Sequence, residues 1–139
     1  MAAVHDIPMA LRAAYLSMHR QTNAHLAQSG VTADQFVCLI LLAERDSITQ
    51  QELVRRANSD PNTMRAMLVL LEKRDLVARG KHPTDGRARQ VTITTKGRRV
   101  LDRLATKVKP VQERLLTLFK QEEAKNMVES LKSIFEVMA

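Results

Sequence analysis

Two helix-start signals stand eleven residues apart in the middle of the chain, leaving room between them for only a short helix and a tight turn. The first is Thr49-Gln50-Gln51-Glu52, a capping hydroxyl followed three residues later by a carboxylate. The second is Asp60-Pro61, which puts a carboxylate at the cap and a proline at the first helical position, where a missing N–H costs nothing. In the short helix Leu53, Val54 and Ala57 share one side and Arg55 and Arg56 the other, and Asn58-Ser59 breaks it. After Pro61, Met64, Met67, Leu68 and Leu71 recur at helical spacing and leave Asn62, Thr63, Arg65, Ala66 and Val69 on the opposite or flanking sides. The pattern predicts a helix-turn-helix.

Upstream, Leu11, Ala14, Tyr15, Met18, His25 and Leu26 follow helical spacing between Met9 and Leu26, with Gly30 as a stop. Thr32-Ala33-Asp34-Gln35 has the form of a capping box, in which the threonine and glutamine side chains each satisfy an amide at the helix start. The helix it opens, Phe36 to Ala43, is apolar on every face, so it is expected to be buried centrally.

Beyond Asp75 the period changes. Leu76-Val77-Ala78-Arg79 and Gln90-Val91-Thr92-Ile93-Thr94 read as strands, joined through the turn residues Pro83-Thr84-Asp85-Gly86. This hairpin carries Arg79, Lys81, His82, Arg87 and Arg89 on or near its loop, the arrangement of a wing. From Thr95 onward Leu101, Leu104, Val108, Val111, Leu115 and Leu118 recur at alternating steps of three and four, predicting a long helix kinked near Pro110. A last helix from Gln121 aligns Met127, Leu131, Ile134, Phe135 and Met138 on one stripe.

Charge separates the middle of the chain from its ends. Residues 55 to 103 hold 13 of the 22 basic residues and 5 of the 15 acidic ones, a local charge of +8 within a total of +7. Such concentration suggests a surface for a polyanion, with other work left to the near-neutral flanks. At 139 residues the chain is expected to form a single domain with a core of its own. The one cysteine, Cys38, excludes an internal disulfide and suits a reducing, cytoplasmic setting. The sequence has neither the pattern of a signal peptide nor an apolar run long enough to span a bilayer, so no membrane association is expected.

The order of helix, apolar helix, helix-turn-helix, basic hairpin, long helix and terminal helix resembles the MarR family of bacterial transcription regulators over essentially the whole chain. The most specific part runs from Leu70-Leu71-Glu72-Lys73-Arg74-Asp75-Leu76-Val77 through Pro83-Thr84-Asp85-Gly86-Arg87-Ala88-Arg89 to Val91-Thr92-Ile93-Thr94-Thr95-Lys96-Gly97. The family's wing reads Asp-x-Arg-Ala/Ser-Lys/Arg, and each fixed position matches. Asp75 departs, because the family usually has a glycine there to take a left-handed backbone, which aspartate tolerates less well.

The resemblance implies a mainly α fold with a small β-hairpin. A winged helix lobe is expected over residues 32–95, and a helical dimerisation lobe from residues 5–30 with 96–139. It further implies a two-fold dimer on a pseudo-palindromic operator in double-stranded DNA, most simply as a repressor released by a small aromatic or phenolic ligand. The second helix of the helix-turn-helix would enter the major groove, with Asn62, Thr63 and Arg65 at base edges and Pro61 and Ala66 near thymine methyls. Arg87 would reach the minor groove and Arg89 a phosphate or an ion pair, with Asp85 orienting an arginine. Arg55, Arg56, Lys81, Lys96 and Arg98 are expected to act together as a field for phosphates.

A ligand pocket of this family type would involve Tyr15, Met18, His19, Phe36 and Ile40, residues that plain packing explains equally well. Cys38 invites a redox-sensing alternative, but it lies in the most apolar helix, where a thiol behaves as a small hydrophobe. His5, His19, His25 and His82 lack metal-ligand spacing, and no nucleophile with a matching base is apparent, so neither cofactor nor catalysis is expected. A winged-helix module that binds only proteins is the remaining alternative, and the charge distribution argues against it.

Overall fold

The computed structural model describes residues 3–81, 83–87 and 89–139. Among them are six helices and a small antiparallel sheet: α1 (Asp6–Leu26), α2 (Ala33–Ala43), β1 (Ile48–Thr49), α3 (Gln50–Arg56), α4 (Pro61–Lys73), β2 (Val77–Lys81), β3 (Arg89–Ile93), α5 (Thr95–Leu116) and α6 (Gln121–Met138). The fold is mainly helical, as the sequence predicted. No described helix is long and apolar enough to cross a membrane. His82 and Ala88, both part of the hairpin reading, lie outside the described residues.

The helix starts are where the caps require them. Gln35 N–H donates to Thr32 Oγ1 and Thr32 N–H to Gln35 Oε1, both at 3.1 Å, completing the capping box of α2. Thr49 caps α3 by accepting the Glu52 N–H at 3.1 Å, and Asp60 caps α4 by accepting the Thr63 N–H at 2.9 Å. Each cap satisfies a donor that a helix cannot satisfy for itself.

The sheet has the order β1-β3-β2, so the returning strand of the wing is central. Ile48 pairs with Val91 and Thr49 with Gln90 on one side of β3, while on the other Val77 pairs with Ile93 and Lys81 with Arg89. β1 was not anticipated. Two residues are too few to show alternation, and they form a strand only because β3 lies beside them.

The chain divides into two compact units, Met1–Lys107 and Val108–Ala139. α1 and the first part of α5 thus group with the helix-turn-helix and wing. The core of the first unit is formed by Leu26, Leu39, Leu42, Leu53, Met64, Leu68, Leu71, Leu76 and Val91, all nearly inaccessible. Burying these side chains is its main source of stability.

Burial departs from expectation in α2 and at Met67. α2 is not covered on all sides, since Val37 and Ile40 are 41% and 36% exposed, one turn apart on a shared face. Met67 is only half-buried. In α5, Gly97, Val100 and Leu104 are buried in the first unit, with Leu101 half-buried. In the second unit Val108 is buried and Val111 half-buried, but Leu115 and Leu118 are exposed, and Leu118 lies past the end of α5. Pro110 is accommodated within one α-helix.

Candidate nucleic-acid interface

α4 owes its direction to Asp60, whose carboxylate accepts the Thr63 N–H at 2.9 Å and the Thr63 hydroxyl at 2.7 Å. These bonds, the amide's first, hold the Asp60 carboxyl below its usual range. Thr63 is therefore partly committed to the cap. Pro61, Asn62, Thr63, Arg65 and Ala66 are all exposed, and Met64 and Leu68 face the core behind them.

The wing begins where α4 ends. Asp75 takes φ 60°, the left-handed backbone that the departure from glycine had put in question. At the tip, Asp85 accepts the Arg87 N–H at 3.0 Å, so the aspartate shapes the turn that presents Arg87. Arg87, Arg89 and Lys81 are exposed, with Lys81 and Arg89 directly opposite one another in the ladder.

Helix and wing border two adjoining clefts. One, of about 510 Å³, is lined by Gln50, Arg65, Glu72, Arg79 and Arg89. The other, of about 360 Å³, is lined by Thr49, Gln50, Gln51, Val54, Pro61, Arg87 and Arg89. Arg89 and Gln50 belong to both. The arginine-bearing strand thus lies next to the starts of α3 and α4, bringing together Arg65, Arg87 and Arg89, which the sequence had assigned to one surface.

Two ion-pair clusters trim this basic field. Glu52 does not close a capping box as its position suggested. Its carboxylate instead accepts from Arg55 Nη2 at 2.7 Å and from Arg56 Nε at 3.0 Å, and these bonds, Arg55's first, hold its pKa down at about 2. Arg55 keeps a side chain that is 64% exposed. Glu72, in the last turn of α4, accepts from Arg79 Nη2 at 3.1 Å and from the Arg79 backbone N–H at 3.3 Å. The Arg79 guanidinium holds the Glu72 carboxyl below its usual range.

Glu72, Gln50 and Gln51 were not among the residues expected from sequence. Opposite charges on either side of the α4–β2 turn were the available signal for Glu72. Nothing local marked the glutamines, which reach the clefts only because β1 sets α3 against β3.

A smaller cavity, of about 170 Å³, lies away from the arginines and is lined by Tyr15, Asp34, Val37, Ala57, Asn58, Ser59, Thr63 and Met67. Of the residues expected around a ligand, Tyr15 lines it, whereas Met18, His19, Phe36 and Ile40 do not. Phe36 is a core residue, Met18 and Ile40 are exposed, and His19 stacks on Tyr15 with ring centroids 5.3 Å apart. Thr63 ties this cavity to α4.

Cys38 is fully buried, with its Sγ 3.8 Å from the Met64 Sδ. Burial first, then the nearby charge of Asp34, pushes the thiol up to about 12. A thiol so placed is poorly suited to redox sensing.

Comparison with known proteins agrees with this fold. The sequence model of the MarR family matches residues 31–88. The HTH-type transcriptional repressor Rv2887 of Mycobacterium tuberculosis is 34% identical over 116 residues, spanning 81% of this chain and 84% of that protein. A mutant MarR from E. coli complexed with operator DNA superposes with a TM-score of 0.81 at 22% identity, covering 96% of this chain and 99% of that one. CouR from Rhodococcus jostii RHA1 bound to p-coumaroyl-CoA gives 0.86 at 24% identity, covering 97% and 95%.

Proposed function

The chain belongs to the MarR family, and from that premise we propose that it is a homodimeric transcriptional repressor that holds a pseudo-palindromic operator in double-stranded DNA until a small ligand releases it. The observation that carries this reading is the pair of clefts sharing Arg89, which puts the exposed start of α4 and the tip of the wing on one basic surface.

Capture begins with the field of the +8 segment, which draws in the phosphate backbone and displaces its counterions. Asn62, Thr63 and Arg65 then read base edges in the major groove, with Pro61 and Ala66 against methyl groups. Arg87 enters the minor groove, where negative potential favours a guanidinium, while Arg89, Lys81 and Arg55 meet phosphates. Asp85 contributes by holding the turn. This is work of binding and regulation, carried out in the cytoplasm where the DNA is.

Dimerisation is supported by apolar side chains that the single chain leaves exposed: Ile7, Met9 and Tyr15 on α1, and Met127, Leu131 and Phe135 on α6. A phenolic effector is supported by the cavity beside Tyr15 and by the ligand of CouR. Thr63, shared between that cavity and α4, gives such a ligand a route to the DNA-reading helix.

The test is selection of bound fragments from genomic DNA, followed by fluorescence anisotropy on the recovered site over a range of salt. A two-fold related site bound with steeply salt-dependent affinity is expected. Recovery of no preferred sequence would leave a protein-binding winged helix as the better reading.

A further inference from the structure

β2 is the outer strand of the sheet, with β3 as its one neighbour among the described residues. An outer strand has backbone donors on its open side that the sheet cannot satisfy. Arg79, at the middle of β2 and opposite Val91, gives its N–H to Glu72 Oε2 at 3.3 Å, while its guanidinium Nη2 bonds Glu72 Oε1 at 3.1 Å. One carboxylate from the recognition helix therefore takes both the backbone and the side chain of a single wing residue. Only Arg74, Asp75 and Leu76 separate α4 from β2, so the two bonds close a short staple across the turn.

The geometry points to Glu72 as a positioning residue that sets the angle between α4 and the wing, and with it the spacing between Arg65 in the major groove and Arg87 in the minor groove. The inference rests on the DNA-binding reading above. Glu72 is itself half-buried and lines the larger cleft together with Arg65, and its negative charge would be repelled by phosphates, so its contribution runs through Arg79. Holding Arg79 has a second effect. The guanidinium, with a side chain only 24% exposed, is kept from making phosphate contacts that carry no sequence information.

Glu72→Gln keeps the size of the side chain but replaces one acceptor oxygen with a donor, so one of the two bonds must be lost. The measurement is the ratio of affinities for the selected operator and a scrambled duplex, taken across a range of salt. For Glu72→Gln the ratio is expected to fall about tenfold, with the loss concentrated at the base pairs under the wing, and the salt slope to steepen by about one unit as Arg79 is released. Arg79→Gln opens the same pair from the strand and has to lower the ratio as well.

The double variant Glu72→Gln with Arg79→Gln separates position from charge. It restores the original net charge without the staple, so the salt slope should return while the ratio stays low. Recovery of the ratio in the double variant, or no fall in either folded single variant, overturns the proposal. Absence of any sequence preference in the unchanged protein removes the DNA-binding reading and the proposal together. General loss of folding lowers the active fraction without redistributing specificity between helix and wing positions, so the positional profile distinguishes it.

Discussion

The Thr94 hydroxyl donates to the Asp75 carbonyl oxygen at 2.6 Å, and so fastens the end of the wing to the turn from which the wing departs. Thr94 Oγ1 in turn accepts the Gly97 N–H at 2.9 Å and thereby starts α5. Thr94→Val keeps the shape and removes both bonds, and is expected to cost about 1–2 kcal/mol of unfolding free energy. Urea denaturation measures this, and Thr94→Ser should recover most of the loss.

Gly97 allows the Thr94 arrangement to close. A Cβ there would lie 2.1 Å from the Leu76 carbonyl oxygen and 2.8 Å from Ile93 Cγ1, the first a backbone atom fixed at the start of the wing. Gly97→Ala is expected to destabilise by about 2–3 kcal/mol through overpacking, despite the better helix propensity of alanine. An unchanged denaturation midpoint would contradict the tight approach of α5 to Leu76. Gly80 and Gly86, with no neighbour within 4 Å of such an atom, provide the comparison.

Arg87→Ala removes the wing's guanidinium but leaves intact its backbone N–H, which bonds Asp85. Binding to a cognate operator, followed by anisotropy, should weaken by about 1–3 kcal/mol. The loss should be largest where the flanking minor groove is narrow. Unaltered affinity would move the wing off the DNA.

Cys38 yields a chemical prediction. With its thiol pushed up to about 12 against an ordinary value of 9.0, almost no thiolate exists in the folded protein at pH 8. A thiol-reactive disulfide reagent should label the native chain far more slowly than the chain in denaturant, and mild peroxide should not change DNA affinity. The sign for stability follows from the same shift. The raised value stabilises the fold fully below about pH 9, and that contribution is lost as pH rises through the folded value of about 12. Rapid native labelling at neutral pH would restore the redox alternative.

What could be read from sequence was what short-range chemistry decides. Thr32, Thr49 and Asp60 cap helices using amides three residues away, and Asp75 takes the left-handed turn expected between recognition helix and wing. The candidate DNA surface was legible for a similar reason, since Arg65, Arg87 and Arg89 sit on elements whose faces follow from period and turn residues. Features that needed a distant partner were missed. Ile48 and Thr49 are a strand only against Val91 and Gln90. Glu52 was misread for a local reason, because the guanidinium groups of Arg55 and Arg56, three and four residues on, take the carboxylate from the cap. The exposed Val37 and Ile40 show the converse, because an apolar residue does not state which neighbour, if any, will cover it.

The central place of β3 has a mechanical consequence. On one side it holds the two residues that lead into α3, and on the other it holds the outgoing strand that Glu72 ties to α4. The reading helix and the wing are thus jaws of a calliper cut from one piece, with no hinge between them. A signal that opened them separately would have to tear the sheet. In the proposed dimer, control of such a device would have to turn the whole calliper, so its sensitivity would be set by how the two copies are spaced and not by the give of either one.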